Sequence, residues 1–252
     1  MEKSVVLYFY VKGKEELIMK IVKPSYKILT PISEGGIKEL QRIEQIARVC
    51  YKSEGKITAD GKSAEKLVRF LVSQGHEAML EHGSLTVIFT CDRGVANELV
   101  RHRIASFAQE STRYCNYAGD RFDGEISVIR PYWCEDGSEA FASWISACAA
   151  AEKAYLYMLN DLHMRPEQAR CVLPLCLKTE IVVTANYREW RNIFKLRTPV
   201  AAHPQMRELM CPLLHELQKR IPVVFNDLYT YWPADDQTRK GSMVAYDAAK
   251  NV

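Results

Sequence analysis

Residues 101–114 have the sequence RHRIASFAQESTRY and form the densest polar cluster of the chain. The apolar residues just before this stretch recur at helical spacing, and Asp92 suits the N-cap of a helix. The pattern therefore predicts a helix from Asp92 to about Arg103. After Ile104 the helical pattern fades, and the polar residues that follow predict a loop whose backbone N–H groups can bind an anion.

The side chains of this stretch suit the binding of anions. Successive residues on a helix point about 100° apart, so Arg101, His102 and Arg103 would reach different groups of one large ligand, or two ligands. A solvated helix end with favourably placed cations is the alternative. The combination of arginine with histidine and hydroxyl groups favours a binding site, because guanidinium groups bind phosphate and carboxylate through paired hydrogen bonds.

The composition and charge argue against several classes of protein. A chain of 252 residues suits one large domain or two small ones. Because 31 acidic residues nearly balance 34 basic ones, a nucleic-acid-binding module with a broad basic surface is a weak alternative, and no nucleic-acid partner is expected. Eight scattered cysteines without a C-x-x-C pair indicate a reducing, cytoplasmic location and no metal site. The apolar run Val5–Val11 is too short for a signal peptide or a membrane span, so no membrane association is expected.

Helix and strand patterns are mixed along the chain without a regular βαβ rhythm. A strand or two are predicted within residues 1–30, and further strands at 84–91, 126–129 and 177–184. Helices are predicted from 37 to about 50, from a cap at Ser63 to Gly75, from 138 to about 163, from 166 to before 174, from a cap at Asn186 to 197, and from 204 onward. We predict an α+β fold, a single domain of mixed helices and a small β-sheet over residues 1–252, with a polar tail from about residue 233.

A second polar cluster contains Arg170 and, further along, Asn186, Arg188, Asn192 and Arg197. Arg188 and Asn192 are four residues apart and would share one helix face. Arg197 lies two and a half turns beyond Arg188 and would point away from it, so that one helix could serve two ligands. Ordinary surface charge is the alternative, and it is the favoured interpretation of this cluster taken alone.

Together the two clusters resemble the sequence motifs of the flavin-dependent thymidylate synthases. The first block is Arg-His-Arg, seven residues, Ser, one residue, and Arg-Tyr at 101–114; the second is Ala-Arg-x-x-Leu-Pro at 169–174, followed by Asn-x-Arg, Asn and Leu-Arg between 186 and 197. The resemblance extends from about residue 29 to about residue 231. It implies an enzyme that makes dTMP from dUMP, with methylenetetrahydrofolate as carbon donor, NADPH as reductant and FAD as carrier. It also implies a homotetramer with active sites at subunit interfaces.

The resemblance also implies roles for individual residues. Those implied at FAD are His76, Ala78, Glu81, Arg101, His102, Arg103, Gln109, Asn186, Arg188 and Asn192. Those implied at dUMP are Glu98, Arg101, Gln109, Glu110, Ser111, Arg113, Arg170 and Arg197. Arg197 would polarise the uracil and favour its N3-deprotonated form, which is electrostatic catalysis. The chain departs from the family pattern at Ala78, Glu98, Gln109-Glu110 and Ala201-Ala202-His203.

Other assignments are weaker. Neither glycine-rich nucleotide loop is present, so arginines and hydroxyls would have to bind the nucleotides. His76 and His82 are six residues apart, whereas the zinc motif H-E-x-x-H places its histidines one helical turn apart, so His82 is expected in the core or at a strand start. No neighbouring His or cation is apparent that would activate Cys176, which is interpreted as a structural thiol. A flavin-binding protein without catalysis is a further alternative.

Overall fold

The computed structural model of the protein describes residues 5–11, 14–119 and 122–228. The strands are β1 (Val5–Val11), β2 (Lys14–Val22), β3 (Ser25–Ile28), β4 (Ser84–Asp92), β5 (Ala105–Gln109), β6 (Ser127–Ile129) and β7 (Lys178–Asn186). The helices are α1 (Ile37–Val49), α2 (Lys62–Ser73), α3 (Arg93–Leu99), α4 (Glu139–Asn160), α5 (Pro166–Ala169), α6 (Tyr187–Arg197), α7 (Pro204–Arg220) and α8 (Pro222–Phe225). The predicted α+β fold is therefore confirmed.

Two sheets contain all seven of these strands. The three-stranded sheet has the order β1-β2-β6, in which β2 pairs antiparallel with β1 and parallel with β6, with Ile21 opposite both Val5 and Val128. The four-stranded sheet has the order β3-β4-β7-β5. Buried and more exposed side chains alternate along β4 and β7, as the two-residue period of a strand requires.

The described residues group into two compact units, and neither contains a helix long and apolar enough to cross a membrane. The first unit comprises the described residues within 1–25, 88–101 and 107–182, and the second comprises those within 26–87, 102–106 and 183–252. The predicted domain boundaries, 1–252, stay a prediction. The predicted polar tail from about residue 233 lies outside the described residues.

The core of the first unit is organised around α4. This helix begins at Ser138, whose hydroxyl accepts a hydrogen bond from Phe141 N at 3.1 Å. Its apolar face packs in one cluster with residues from β2, β6, α5 and the segments that precede β6 and β7. The buried members are Met19, Tyr117, Ile126, Val128, Ile145, Cys148, Tyr155, Leu159, Ala169 and Leu177.

A carboxyl group lies at the edge of this core. Glu152 on α4 is only 6% exposed, and its Oε1 accepts a hydrogen bond from Ile126 N at 2.8 Å. Burial raises the pKa of Glu152 from its ordinary value of 4.5 to about 7, and the neighbouring Glu125 carboxylate adds to the rise. The hydrogen bond from Ile126 N opposes this rise but does not cancel it.

The second unit packs α1, α2, α6, α7 and α8 around an aromatic centre. The ring of Phe225 meets those of Tyr187 and Phe194 edge to face, with centroids 6.0 and 5.9 Å apart. Trp190 is fully buried beside Phe194, and its Nε1 donates to Leu85 O at 3.0 Å. The buried face of α6 therefore consists largely of aromatic side chains, which hold this helix against β4 and α8.

The prediction that Ser63 caps α2 is wrong. The cap position is Gly61, which has a φ of +76° and lies so close to Ile37 that an added Cβ would stand 2.4 Å from the Ile37 Cδ1 atom. The Ser63 hydroxyl instead donates to the buried Glu44 Oε2 at 2.8 Å. The predicted termination of α2 at Gly75 is confirmed, since this residue follows the last turn with a φ of +69°.

The predicted helix from Asp92 to Arg103 begins correctly and ends too late. Asp92 Oδ1 accepts a hydrogen bond from Val95 N at 2.8 Å, which confirms the cap, but α3 ends at Leu99. Residues 101–104 form a turn, and β5 follows where a polar loop was predicted. This segment is a strand because it adds to the four-stranded sheet beside β7, and the pairing supplies its backbone hydrogen bonds.

The pKa of Glu152 predicts how stability depends on pH. Because the folded-state pKa lies above the unfolded one, the contribution of Glu152 is fully present below about pH 4.5 and is lost as the pH rises towards 7. Glu152→Gln keeps the acceptor for Ile126 N and cannot ionise. Measured by urea unfolding, the free energy of unfolding of the wild type should fall by about 2 to 3 kcal/mol more than that of this variant between pH 5 and pH 8.

The matched control for this prediction is Glu54→Gln, which changes an exposed carboxylate in the second unit. It should follow the pH dependence of the wild type. If Glu152→Gln also lost the same stability as the wild type between pH 5 and pH 8, the carboxyl group of Glu152 would be ionised throughout.

Candidate active site

The turn that follows α3 separates the three residues of the Arg-His-Arg stretch. Arg101 and Arg103 are exposed, whereas His102 is only 5% exposed. The two arginines are therefore accessible to a large anionic ligand, and the histidine is held within the fold. The prediction that helix geometry distributes these three side chains over three faces is wrong, because α3 ends before them.

The second unit contains a network that joins His102 to α6. Arg197 Nε donates to His102 Nε2 at 3.0 Å, and His102 Nδ1 lies 3.4 Å from Glu189 Oε1. Glu189 is 6% exposed, and both of its carboxylate oxygens accept from Asn192 Nδ2 at 3.3 Å. Asn186 Oδ1 caps α6 by accepting from Glu189 N at 2.8 Å, as the sequence predicted.

The same helix contacts the segment of residues 76–82 through two arginines. Arg188 is exposed, and its Nη1 donates to Glu81 Oε1 at 2.6 Å. Arg191 is 2% exposed; it donates from Nε to Glu77 at 3.0 Å, and from Nη1 and Nη2 to the two Asp227 oxygens at 2.6 Å. Its Nη1 also donates to Val224 O. These contacts hold the 3-10 turn Glu77–His82 against α6.

Arg188 and Arg197 have different partners, as the spacing along the helix predicted. Asn192, however, belongs with Arg197 through Glu189 and His102 and makes no described contact with Arg188. Arg188 and Asn192 are nevertheless four residues apart on α6 and both are exposed, as the predicted shared helix face requires. The Asn192 amide in addition donates to the buried Glu189 carboxylate one turn away.

The first unit contains the other polar cluster. Arg170 is exposed, and its Nη1 donates to the buried Thr112 hydroxyl at 3.2 Å. Ser111 Oγ accepts from Arg113 N at 3.3 Å, and the Arg113 guanidinium lies 5.3 Å from the centre of the Tyr114 ring. Arg170 is thus tied to the turn of residues 111–114, which brings together two regions that are far apart in sequence.

Glu110 is fixed by two partners at the start of this turn. Its Oε2 accepts from Lys178 Nζ at 3.1 Å, and its Oε1 accepts from Tyr117 Oη at 3.0 Å. Gln109 at the end of β5 donates from Nε2 to Thr179 Oγ1 at 3.4 Å. The two residues therefore connect the turn to β7.

The predicted residues thus fall into two groups, each within one unit. The second unit contains His76, Ala78, Glu81, His102, Arg103, Asn186, Arg188, Asn192 and Arg197. The first contains Glu98, Arg101, Gln109, Glu110, Ser111, Arg113 and Arg170. His76 and Ala78 are exposed and make none of the hydrogen bonds described above, and Glu98 lies partly exposed on α3. The structure brings together Arg170 with the turn 111–114, and His102 with Arg197.

Sequence reasoning missed several residues of these networks, among them Glu189, Thr112 and Lys178. Glu189 directly follows Arg188 of the second sequence block, and Thr112 lies between Ser111 and Arg113 of the first. Lys178 is the first residue of β7. Glu189 had a sequence signal, because an acidic residue three positions after an Asn cap favours a helix N-terminus. Thr112 and Lys178 had none, since their partners are 58 and 68 residues away.

The histidine and cysteine assignments are resolved in part. His82 is exposed at the end of the 3-10 turn Glu77–His82, two residues before β4. The predicted core position is therefore wrong, whereas the predicted position at a strand start is correct. Within residues 5–11, 14–119 and 122–228, no group of three His, Cys, Asp or Glu side chains could hold a metal ion. Cys176 is a free thiol, and the hydrogen bond from Cys148, whose Sγ is 3.4 Å away, lowers the pKa of Cys176. No His or cation is needed for that shift.

The chemistry of the second group suits an anionic dinucleotide. The exposed guanidinium groups of Arg103 and Arg188 can bind phosphate oxygens. The amide of Asn192 is exposed on α6 and offers donors and an acceptor. The residues that are implied at FAD in this unit therefore fit that cofactor in their donor chemistry.

Comparison with known proteins gives consistent results. The family described as "Thymidylate synthase complementing protein" matches residues 37–223. A "Flavin-dependent thymidylate synthase" of Geobacter sulfurreducens is 37% identical over 190 residues, which cover 72% of this chain and 78% of that protein. A protein of the same name from Corynebacterium aurimucosum is 30% identical over 219 residues, which cover 81% of this chain and 86% of that protein.

The fold is also similar to a solved structure. A UMP/dUMP methylase from Streptomyces cacaoi, bound with 5-Br dUMP, superposes with a TM-score of 0.64 at 22% sequence identity. The superposition covers 82% of this chain and 95% of that one. At this level of identity the similarity supports the assignment of the fold.

The burial of Arg191 predicts a large effect on stability. Arg191→Met would remove the donors that Arg191 supplies to Glu77, Val224 O and Asp227, and would leave Lys195, 3.7 Å from Glu77 Oε1, as the cation described beside that carboxylate. Removal of one partner from a buried ion pair costs about 3 to 5 kcal/mol, and the partial exposure of Asp227 lowers the expected loss to about 2 to 4 kcal/mol. Urea unfolding of the variant and the wild type measures this loss.

Arg188→Met is the matched control on the same helix, because it breaks an exposed ion pair. Exposed pairs contribute about 1 kcal/mol or less. Equal and small losses in both variants would mean that the Arg191 contacts do not stabilise the folded state.

Proposed function

The chain belongs to the family of flavin-dependent thymidylate synthases, as its two sequence blocks predicted, and from this premise we propose that it methylates dUMP to dTMP. Methylenetetrahydrofolate is the carbon donor and NADPH the reductant. The observation that carries the proposal is the placement of Arg197, whose guanidinium is held at the end of α6 by a hydrogen bond to the buried His102. A fixed cation of this kind can stabilise an anionic heterocycle.

The exposed cations and amides of the second unit bind FAD in this proposal. Arg103 and Arg188 bind its phosphates, and Asn192 contributes amide hydrogen bonds. Bound FAD supplies hydride transfer, which protein side chains alone cannot provide. The pairs Arg188–Glu81 and Arg191–Glu77 hold the turn Glu77–His82 beside α6, so His76, Ala78 and Glu81 keep a fixed position for the cofactor. Arg101, Gln109 and Asn186 complete the proposed set.

The turn of residues 111–114 binds the dUMP phosphate. Ser111 offers its hydroxyl, and Arg113 and Arg170 offer guanidinium groups that stay charged at any working pH. The hydrogen bond from Arg170 to Thr112 holds the Arg170 guanidinium at the turn before the nucleotide arrives. Glu98, Arg101, Gln109 and Glu110 are the further proposed contacts, and Lys178 and Tyr117 hold the Glu110 carboxylate in place.

Arg197 activates the pyrimidine. A guanidinium beside the uracil carbonyl stabilises the N3-deprotonated ring and so makes its C5 more nucleophilic. Because arginine does not lose its proton in proteins, Arg197 provides charge without taking part in proton transfer. The protein itself provides no nucleophile, and Cys176 is a structural thiol that is hydrogen-bonded to the Cys148 thiol.

The same proposal covers assembly and location. The protein forms a homotetramer in the cytoplasm, with active sites at subunit interfaces. The eight free cysteines agree with a reducing compartment.

Two measurements on the purified protein test the proposed reaction. The protein should show flavin absorbance and release FAD on denaturation, and it should form dTMP when dUMP, NADPH and methylenetetrahydrofolate are supplied. A colourless protein that takes up no added FAD would contradict the cofactor. A yellow protein whose NADPH oxidation does not depend on dUMP would be a flavin-binding protein without this activity.

Removal of the Arg197 guanidinium tests the proposed activation. Arg197→Ala should retain flavin absorbance but lose about a hundred- to a thousandfold in the rate of dTMP formation, the usual cost of one preorganised donor. Arg197→Lys should also be impaired, because it keeps the charge and loses the planar fork. The rate at saturating dUMP measures the effect.

Arg69→Ala serves as the control, because Arg69 is an exposed arginine on α2 paired with Glu65. It should leave the rate unchanged. Wild-type turnover by Arg197→Ala would show that another group activates the pyrimidine.

A further inference from the structure

The tautomer of His102 follows from its two hydrogen-bonding partners. Arg197 Nε always carries a proton, so the contact of 3.0 Å requires His102 Nε2 to be the acceptor. An imidazole whose Nε2 accepts is neutral and carries its proton on Nδ1. That nitrogen lies 3.4 Å from Glu189 Oε1, a carboxylate oxygen that can accept the proton's hydrogen bond.

The Glu189 carboxylate is itself held from several sides. The backbone N–H of Glu189 donates to the Asn186 side chain, and both carboxylate oxygens of Glu189 accept from the Asn192 amide. It lies in the first turn of α6, where the helix dipole favours a negative charge. The carboxylate therefore has little freedom to turn away from His102.

We propose that Glu189 and His102 are positioning residues for Arg197. Glu189 fixes His102 in the tautomer with the proton on Nδ1, and His102 Nε2 then holds the Arg197 guanidinium by its Nε edge. A buried carboxylate that fixes the tautomer of an imidazole plays the same part in Ser-His-Asp triads. This inference rests on the proposed role of Arg197 in dUMP activation. It also gives both ring nitrogens of His102 contacts inside the chain, in place of the polar contacts to FAD that the family resemblance implies.

A positioning role differs from a purely structural one in how its loss combines with the loss of Arg197. Glu189→Gln keeps the shape of the side chain but turns an acceptor into an NH2 group on one side, towards either His102 or Asn192. If the NH2 group faces His102 Nδ1, the imidazole must carry its proton on Nε2, which then opposes the Arg197 donor. The damage therefore reaches the reaction through Arg197.

The main experiment is a double-mutant cycle on kcat/KM for dUMP. Glu189→Gln should lower kcat/KM about tenfold or more in the wild type and by less than about twofold in the Arg197→Ala background, because contacting residues that act as one unit are not additive. Flavin absorbance and urea unfolding are measured on all four proteins to exclude misfolding. An equal loss in both backgrounds would overturn the proposal, and so would wild-type kcat/KM in Glu189→Gln.

Two substitutions of His102 provide an independent comparison. The amide group of Gln reaches about as far as Nε2 and can accept from Arg197, whereas that of Asn reaches only about as far as Nδ1. His102→Gln should therefore keep more of kcat/KM than His102→Asn, by about tenfold. Equal values for the two variants would show that His102 contributes packing and does not hold Arg197.

Crystal structures separate the failure of this inference from the failure of the proposed function. In Glu189→Gln crystals the hydrogen bond from Arg197 to His102 should be absent or broken in part, whatever the enzyme catalyses. If that bond were unchanged, the positioning role would be wrong even in an active enzyme. If the wild type formed no dTMP while the bond was lost in the variant, the proposed function would be wrong and the coupling of the three side chains would stand.

Discussion

The burial of the Arg191 guanidinium constrains the whole second unit. A charged group that is 2% exposed is tolerated only when its donors are paired, and Arg191 finds partners on the turn Glu77–His82, in α8 and just after α8. Two segments that are far apart in sequence must therefore meet at one point on α6. This requirement fixes the rotation of the helix about its axis, and with it the directions of Arg188 and Arg197.

The rotation of α6 decides what each of its polar residues can do. Once Arg191 and the aromatic residues face inward, Arg188 reaches solvent and pairs with Glu81, while Glu189 is drawn inside beside His102. The helix begins directly after β7, with no loop between Asn186 and Tyr187, so strand and helix cannot shift independently. The Asn186 cap completes this rigid connection and also holds the backbone of the residue that contacts His102.

Local interactions were predictable from the sequence except at Ser63, whose hydroxyl binds Glu44 instead of capping α2, and interactions between distant segments were not. Asp92 and Asn186 were identified as caps because a cap depends on a side chain and a backbone group only three residues apart. β5 was missed because its short sequence, Ala-Ser-Phe-Ala-Gln, has no strong strand pattern of its own and forms a strand by pairing with β7. The end of α3 was misplaced for a related reason, since Arg101 to Arg103 are compatible with a helix and only the following strand excludes it.

The candidate site shows the same division between what sequence contains and what the fold adds. The two blocks identify residues whose chemistry suits large anions, but they do not distinguish an exposed arginine from one held in place. Arg103 is exposed to solvent, whereas Arg197 is oriented by a buried imidazole that is in turn held by a buried carboxylate. A loosely held cation suffices for a phosphate, which offers oxygens in several directions. Stabilisation of a charge that develops on one ring atom requires a donor whose direction is set beforehand, and burial of its supporting groups provides that direction. The side chains that support Arg197 are therefore as much a part of the site as the arginine itself.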